Sequence, residues 1–299
     1  MKNRILLIIV FCLSLILINI SSEKDTTFFN NEKEINVKNT KTNTIESLEL
    51  EEYIIGVVAA EMPASFQEDA LKAQAIASRT YAIYKMNNSN EEYDVVTDVS
   101  NQSYITIDNM KDKWKEDFNL YYEKIKNAVL DTKGKVMTYN NEVIESYYFA
   151  MSNGYTESAS LVFSEDRDYL ESVESSYDNK TIKNFEVIKE FDTKDFCEKL
   201  EINCNDIIIS NIKRSETNRV NYITINNTTF KGTEFRTKLS LRSTDFQIEN
   251  KDSKIIITTR GYGHGVGMSQ YGANGMAKDG YSYEEILKYY YKNIKIDSI

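Results

Sequence analysis

Two short stretches of this sequence combine residues that could do chemistry. The first, residues 261–273, reads Gly-Tyr-Gly-His-Gly-Val-Gly-Met-Ser-Gln-Tyr-Gly-Ala and holds the chain's single histidine and five of its eleven glycines. Glycine is favoured where the backbone takes positive φ or approaches a ligand closely, so this stretch predicts a shaped loop that presents His264, Ser269, Gln270 and Tyr271. A purely structural loop with a hydrogen-bonded histidine is the alternative.

The second stretch places Glu61 two residues before the chain's only proline, Pro63, at the end of an apolar helical pattern. The negative end of the helix dipole disfavours ionisation there, and the apolar residues 57–60 indicate poor solvation. Both effects raise a carboxyl pKa toward working pH, and a carboxyl that keeps its proton is a general acid. An ordinary surface glutamate near a helix end is the alternative.

Two helices that meet at a corner must position Glu61. Apolar residues at three- and four-residue spacing predict a helix over residues 48–62, which Pro63 ends. Ser65-Phe66-Gln67-Glu68 predicts a capping box that opens a second helix, reaching to about residue 86. Arg79 lies on this second helix, where a solvated or salt-bridged arginine is the simpler interpretation.

The rest of the chain predicts an α+β fold, with a helical catalytic core, β-hairpins and a smaller inserted α+β lobe over residues 166–245. A third helix is predicted over 114–132, a hairpin over 136–139 and 143–149, and a closing helix over 283–291. Two polar clusters in predicted loops could hydrogen-bond a sugar or could be ordinary turns; they are Asn101-Gln102-Ser103-Tyr104 and Ser152-Asn153-Gly154.

The amino-terminal segment predicts export. Lys2 and Arg4 precede an apolar run over residues 5–20, which is long enough to span a bilayer with the remaining chain outside the cytoplasm. The length of the run and the lack of a clear Ala-x-Ala site favour a retained anchor over residues 1–22 against a cleaved signal peptide. A polar tether is predicted over residues 23–45, with one edge strand near residues 35–37, and the folded domain over residues 46–299.

Charge and composition argue against several classes of function. The formal net charge of −10 argues against nucleic acid as a partner, because binding to phosphates needs a basic surface. The glycine-rich stretch fails the pattern G-x-G-x-x-G at Val266 and lacks the Lys-Ser/Thr end of a P-loop. With one histidine in the chain, a zinc site of Cys and His is poorly supported. Cys197 and Cys204 either form a disulfide outside the cell or remain unpaired.

Long motifs resemble the stage II sporulation protein D family over nearly the whole chain after the anchor. They are Leu-Glu-Glu-Tyr-Ile-Ile-Gly-Val-Val-Ala-Ala-Glu-Met-Pro at 50–63, Ala-Leu-Lys-Ala-Gln-Ala-Ile-Ala-Ser-Arg-Thr-Tyr at 70–81, Ser-Leu-Arg-Ser-Thr at 240–244 and the glycine-rich run at 261–273. The resemblance implies a membrane-anchored peptidoglycan lytic transglycosylase of endospore formers, acting during engulfment of the forespore. Glu61 matches the family's catalytic acid, and Arg79 matches an arginine at its site.

The predicted reaction uses one carboxyl twice. Glu61 protonates the oxygen between N-acetylmuramic acid (MurNAc) and N-acetylglucosamine (GlcNAc), and the carboxylate then takes the proton of the muramic C6 hydroxyl as a 1,6-anhydro ring closes. The residues expected to contact glycan are Arg79, Gln102, Tyr104, Ser152, Asn153, His264, Ser269, Gln270 and Tyr271. The resemblance further implies strands freed of stem peptides as substrate, and a membrane complex with stage II sporulation protein P, an amidase, and stage II sporulation protein M.

Some clostridial relatives resemble a zinc-binding version, with His and Cys ligands close to a Gln-x-Tyr pattern. Here that stretch, residues 97–104, reads Thr-Asp-Val-Ser-Asn-Gln-Ser-Tyr, so we predict no metal or other cofactor. Related domains in amidase-enhancer proteins supply a different interpretation, a glycan-binding module that stimulates an amidase without cutting glycan itself. A structural wall protein or adhesin is the third.

Overall fold

The computed structural model describes residues 33–163, 165–178, 182–203, 206–251 and 254–299, as a mixed α+β fold of short sheets around helices. The helices are α1 (Leu50–Glu61), α2 (Glu68–Asn88), α3 (Ile107–Trp114), α4 (Phe118–Leu130), α5 (Ala159–Phe163), α6 (Thr193–Leu200), α7 (Gly232–Lys238), α8 (Gln270–Lys278) and α9 (Tyr283–Tyr290). The predicted anchor, residues 1–22, and Cys204 lie outside the described residues.

The strands form five small sheets in the described part of the chain, with orders β2-β1-β3, β14-β4-β5, β13-β6, β11-β12-β7 and β10-β9-β8. They are β1 (Glu34–Lys38), β2 (Ile45–Glu49), β3 (Val95–Val96), β4 (Lys135–Tyr139), β5 (Glu142–Val143), β6 (Tyr148–Phe149), β7 (Glu186–Asp192), β8 (Ile209–Arg214), β9 (Val220–Ile225), β10 (Thr228–Lys231), β11 (Phe246–Lys251), β12 (Lys254–Arg260), β13 (Met268–Ser269) and β14 (Lys295–Ser298).

Helix α2 runs through the centre of the main hydrophobic core. It contacts α1, α4, α8, α9 and strand β4, and every residue from 70 to 83 except Lys72 is buried. A helix buried on every side must let its neighbours approach closely. The alanines of α2 allow this approach, since their side chains end at Cβ. Both α1 and α8, which carry the site described below, are therefore fixed against the same central helix.

The corner between α1 and α2 is present, but its second helix begins later than the sequence predicts. Helix α1 ends at Glu61, as expected from Pro63. The predicted capping box at Ser65 is wrong, because α2 starts at Glu68 after Gln67, whose side chain makes no capping bond. The backbone N–H of Gln67 instead donates to Oδ1 of Asn274 in α8, 2.9 Å away. A long-range partner replaces the local cap.

The helix predicted over residues 114–132 is interrupted. Helix α3 ends at Trp114, a 3₁₀ turn covers Lys115–Asp117, and α4 follows. Lys115 takes φ +49°, a left-handed conformation that cannot continue an α-helix. The break leaves Trp114 at a helix end, where its ring lies against Tyr121, with ring centroids 5.8 Å apart.

Two strand predictions are wrong in detail. The strand near residues 35–37 is not an edge strand, since β1 lies between β2 and β3 and buries Ile35 and Val37. The second strand of the predicted hairpin is broken, because β5 pairs with β4 whereas β6 pairs in parallel with β13. Buried main-chain groups need partners, and those of β6 find them next to the glycine-rich loop instead of in the hairpin.

A second hydrophobic core lies between residues 191 and 257. It is built by Phe191, Phe196, Ile223, Phe235, Phe246 and Ile257, with others, from α6, α7 and the strands β7 to β12. Cys197 belongs to this core and is disulfide-bonded. The chain leaves the main core before β7 and returns through β12 directly into the glycine-rich loop and β13.

Among the described residues there is no helix that is both long and apolar enough to cross a membrane.

Candidate functional site

Glu61 occupies the last position of α1, and both of its carboxyl oxygens accept hydrogen bonds. Oε1 accepts from the backbone N–H of Ser103 at 2.8 Å, and Oε2 accepts from Nε2 of Gln270 at 3.2 Å. These donors come from residues 42 and 209 positions away. The carboxyl is therefore held at the meeting point of α1, the loop at 101–105 and α8.

Close packing on α1 places the loop at 101–105. A Cβ on Gly56 would lie 2.3 Å from the ring of Tyr104, so only glycine lets this ring approach the helix. Tyr104 also stacks on Tyr53, with centroids 5.5 Å apart and planes at 17°, and burial raises its pKa to about 12. The loop thus rests on α1 and directs the N–H of Ser103 toward Glu61.

A chain of buried polar side chains fixes the amide of Gln270. Its Nε2 also donates to Oε1 of Gln74, at 3.4 Å, while Nε2 of Gln74 donates to the hydroxyl of Ser78. Because Gln74 offers its oxygen to Gln270, the Gln270 nitrogen must face Glu61.

The same polar chain continues to the loop at 101–105. Gln102 donates to the Ser78 carbonyl oxygen at 3.3 Å and accepts from the Tyr148 hydroxyl at 2.9 Å. Gln102 is fully buried, so it holds the loop in place and does not face a ligand.

Opposing effects act on the proton of Glu61. Burial raises the pKa of its carboxyl, while hydrogen bonds from Ser103 and Gln270 and the charge of Lys113 offset part of the rise. Nζ of Lys113 donates to the Ala59 carbonyl oxygen at 2.8 Å, at the carboxyl end of α1. A carboxyl that is desolvated yet supplied with donors can both hold a proton and bear the charge after releasing it.

A cleft of about 570 Å³ opens over Glu61. Aromatic side chains line it on two sides, from Trp114 and Tyr121 and from Tyr262 and Tyr271. Among the described residues that line this cleft, Glu61 is the only acid. Flat aromatic faces beside a few polar groups suit a sugar, which offers both apolar faces and hydroxyls.

An adjoining cleft of about 820 Å³ shares Ser65 and Tyr271 with the first. The ring of Phe66 meets that of Tyr271 edge-on at the boundary, with centroids 5.0 Å apart. Asn153 lines this second cleft, although its Nδ2 already donates to the Thr217 carbonyl and to Asp245. The two clefts form one groove longer than a single sugar site.

Arg79 does not join this groove. Its side chain is fully buried, and its guanidinium donates to Glu51 at 2.7 and 2.5 Å and to the backbone carbonyls of Val129 and Lys135. A buried guanidinium needs a partner for its charge, and Glu51 of α1 supplies it. The structure therefore assigns Arg79 to holding α1, α2, α4 and β4 together, and not to the glycan contact that the resemblance implied.

Ser152 and Ser269 also turn inward, to the buried carboxylate of Asp178. Ser152 donates to it from Oγ at 2.8 Å and from its backbone N–H at 3.0 Å, and Ser269 donates from Oγ at 2.7 Å. Ser175 adds a third hydroxyl at 2.6 Å. Neither predicted contact residue is exposed to a ligand; both instead connect their loops to Asp178.

His264 lies in the shaped loop that the glycines predict, since Gly261, Gly263, Gly265 and Gly267 all take positive φ. At Gly267 a Cβ would lie 1.9 Å from the Tyr147 carbonyl oxygen. The imidazole packs among the rings of Tyr147, Phe149 and Phe163, and its Nδ1 accepts the N–H of Val266. Desolvation lowers its pKa to about 3, so the half-buried imidazole is neutral near pH 7, and it is absent from the described lining of the Glu61 cleft.

Sequence reasoning missed four residues around Glu61: Ser103, Lys113, Gln74 and Arg242. The first three act through long-range contacts with no local signature, and Ser103 hydrogen-bonds Glu61 through its backbone N–H and its side chain. Arg242 belongs to the motif at 240–244, and because arginine commonly binds anions, the sequence could have indicated it as a ligand for an anion. No group of three or more His, Cys, Asp or Glu residues that could hold a metal occurs within the described ranges.

Comparison with known proteins adds relatives to this geometry. The sequence model of the family described as "SpoIID: Stage II sporulation protein" matches residues 38–139. The stage II sporulation protein D of Bacillus subtilis (strain 168) is 42% identical over 269 residues, covering 88% of this chain and 78% of that protein. That of Bacillus amyloliquefaciens is 40% identical, covering 87% of this chain and 77% of the relative.

A more distant relative carries a different name. The amidase enhancer of Bacillus subtilis (strain 168) is 28% identical over 298 residues, which cover 81% of this chain but 40% of the enhancer.

Proposed function

Because the chain belongs to the stage II sporulation protein D family, we propose that it is a peptidoglycan lytic transglycosylase of sporulation. It cuts the bond between MurNAc and GlcNAc in glycan strands freed of stem peptides, during engulfment, and leaves 1,6-anhydro-MurNAc ends. The observation that carries the proposal is the single carboxyl of Glu61, desolvated and hydrogen-bonded on both oxygens beneath an aromatic cleft.

The two hydrogen bonds to Glu61 suit a group that acts first as acid and then as base. Protonated Glu61 delivers its proton to the bridging oxygen as the bond to muramic C1 breaks. The Ser103 N–H and the Gln270 amide stabilise the carboxylate so formed, and that carboxylate takes the proton of the C6 hydroxyl as its oxygen bonds to C1. No water is consumed, so the second carboxylate of an ordinary glycosidase is not needed.

The groove supports a polymeric substrate. The Glu61 cleft and its neighbour meet at Ser65 and Tyr271, so a strand can extend on both sides of the bond to be cut. Trp114, Tyr121 and Tyr262 offer rings on which sugars can stack.

We further propose that residues 1–22 anchor the protein in the cell membrane with the catalytic domain outside the cytoplasm. There it acts together with the amidase stage II sporulation protein P and with stage II sporulation protein M.

Product analysis tests the proposal. Purified protein is incubated with amidase-treated glycan strands, and 1,6-anhydro-MurNAc ends are counted by mass spectrometry for wild type, Glu61→Gln and Glu52→Gln. Glu52 lies exposed on the same helix, so its variant is a matched control. We expect the ends from wild type and Glu52→Gln and none from Glu61→Gln.

A second candidate is the non-catalytic enhancer, which the amidase-enhancer relative favours. If wild type forms no anhydro ends yet binds strands and accelerates an amidase, the enhancer function replaces the enzyme. If Glu61→Gln forms the ends at the wild-type rate, the protein is an enzyme but Glu61 is not its acid.

A further inference from the structure

The Glu61 cleft carries more positive charge than the cleavage reaction uses. Lys113, Lys183 and Arg242 line it beside one acid, Glu61, in the described part of the chain. When Glu61 holds its proton, these cations have no counter-charge in the cleft. The surplus stands out in a chain whose net charge is −10.

Arg242 is prepared for an anion. Its guanidinium lies over the ring of Tyr262, 4.3 Å from the centroid, and its buried Nε has no hydrogen-bond partner. No carboxylate of the described residues forms an ion pair with it. A half-buried guanidinium that lies over a ring can present its remaining N–H groups as a fork, which matches a carboxylate in two parallel hydrogen bonds.

The adjoining cleft has the opposite balance. Three acids line it in the described part of the chain, Glu174, Asp178 and Asp279, of which Asp178 is buried, and Lys278 is its cation. Lys183 is exposed at the edge of the Glu61 cleft, where it adds to the field of Arg242. Charge complementarity therefore favours an anionic group on the Glu61 side of the groove.

We propose that Arg242, assisted by Lys183, binds the lactyl carboxylate of a muramic residue next to the bond that is cut. This inference rests on the proposed function. The lactyl group is a free carboxylate only after the amide bond to the stem peptide has been hydrolysed; in a peptide-bearing strand it is a neutral amide. The two cations thus select strands that an amidase has already processed, and they act on binding and not on the proton transfers of Glu61.

The test compares two strands that differ only in this group. One carries free lactyl carboxylates, and in the other they are converted to N-methylamides. Binding is measured in full-length protein with Glu61→Gln, so that no strand is cut. We expect the acid strand to bind roughly tenfold or more tightly than the amide strand, as for a charge-assisted hydrogen bond to a carboxylate.

Substitutions then show which residues cause the tighter binding of the acid strand. Added to Glu61→Gln, Arg242→Gln should abolish the preference by weakening only the acid strand, Arg242→Lys should keep part of it, and Lys183→Gln should reduce it. Lys213→Gln, which removes an exposed cation of β8 that lines neither cleft, is the matched control and should change nothing. With Glu61 present, the loss should appear in KM for the acid strand and leave kcat nearly unchanged.

Several outcomes would overturn the inference: equal affinity for the two strands, an undiminished preference in Arg242→Gln, or peptide-bearing strands that bind as tightly as acid strands. If Arg242→Gln fails to fold, the exposed Lys183→Gln decides, and an unchanged preference there counts against the inference. A carboxylate preference in a protein that cuts no strand would support the anion site and refute the lyase, so the two proposals fail separately.

Discussion

Burial raises the pKa of both Glu61 and Asp178, yet the surroundings of the two carboxyls differ. Asp178 is buried at the border of the adjoining cleft, and its oxygens accept from the hydroxyls of Ser152, Ser175 and Ser269 and from the backbone N–H of Ser152. Glu61 has two donors and opens onto a cleft. A raised pKa alone therefore does not mark an acid catalyst; the carboxyl must also be reachable by a substrate.

We expect the largest difference between the Glu61 and Asp178 variants in their turnover rates. Glu61→Gln removes the transferable proton and should lower the rate of anhydro-end formation by about 10³-fold or more, because one group serves both proton transfers. Asp178→Asn keeps the shape and can still bond the serines, so we expect turnover per folded molecule close to wild type. Initial rates of anhydro-end formation on amidase-treated strands measure both variants. If the two variants lose similar fractions of the wild-type rate, Glu61 and Asp178 do not differ in their contribution to turnover.

For stability we expect the opposite: substitution of Asp178 should lower the free energy of unfolding more than substitution of Glu61. Asp178→Ala leaves three hydroxyls and one N–H without their acceptor, and we expect it to lower the free energy of unfolding by about 3 kcal/mol or more. Glu61→Ala removes a partly exposed group with two acceptor contacts and should cost less. Urea unfolding followed by circular dichroism measures both. A larger loss at Glu61 would mean that the active carboxyl is also the structural one.

The pH profile of kcat/KM should depend on the hydrogen-bond donors to Glu61. In the proposed mechanism the acid form of Glu61 is needed for cleavage, so we expect kcat/KM to fall as pH rises through the Glu61 pKa. The Gln270 amide lowers that pKa; its removal in Gln270→Met should shift the alkaline limb to higher pH. Lys278→Met, outside the Glu61 cleft, should leave the limb in place. A shift to lower pH would contradict the hydrogen bond between Gln270 and Glu61.

Stability should also depend on pH through Glu61. A folded-state pKa above the unfolded value stabilises the fold at low pH, and this contribution is lost as pH rises from the ordinary carboxyl pKa through the raised one. Glu61→Gln does not titrate. We therefore expect the Tm difference, variant minus wild type, to grow more positive from pH 4 to pH 7. A difference that is independent of pH would show that the pKa is not raised.

Chelation should have the smallest effect. Neither carboxyl needs a cation in the proposed chemistry, so EDTA should leave the rate of anhydro-end formation unchanged, with a zinc-dependent amidase treated in parallel as the positive control. Loss of cleavage that zinc alone restores would show a metal site that the prediction missed.

The contrast between Glu61 and Asp178 also shows how far the sequence could lead. The corner that carries Glu61 was predictable because periodicity and Pro63 act locally, and the clustered glycines correctly indicated positive φ. The partners of Glu61 were not predictable, since Gln270 is 209 residues away from it and Ser103 is 42 residues away.

Four residues that were expected to contact glycan are packed inward, and this packing was hidden from the sequence for the same physical reason. Arg79 and Glu51 are separated by 28 residues, and nothing in either neighbourhood indicates that packing of α1 on α2 buries them as a pair. His264, Ser152 and Ser269 are residue types common in active sites. Their partners, three aromatic rings and Asp178, come from other parts of the chain, and only the folded structure shows that these side chains are already satisfied.

The hydrogen bond from Gln270 has a consequence for the order in which the protein is made. Ribosomes deliver α1 and Glu61 early, but Gln270 and Asn274, which fasten α8 to the α1–α2 corner, are among the last thirty residues. Tyr290 and Tyr291 of the main core follow later still. A chain interrupted anywhere before α8 carries Glu61 without its amide partner, so in the proposed function the acid would gain that partner only after α8 has been made.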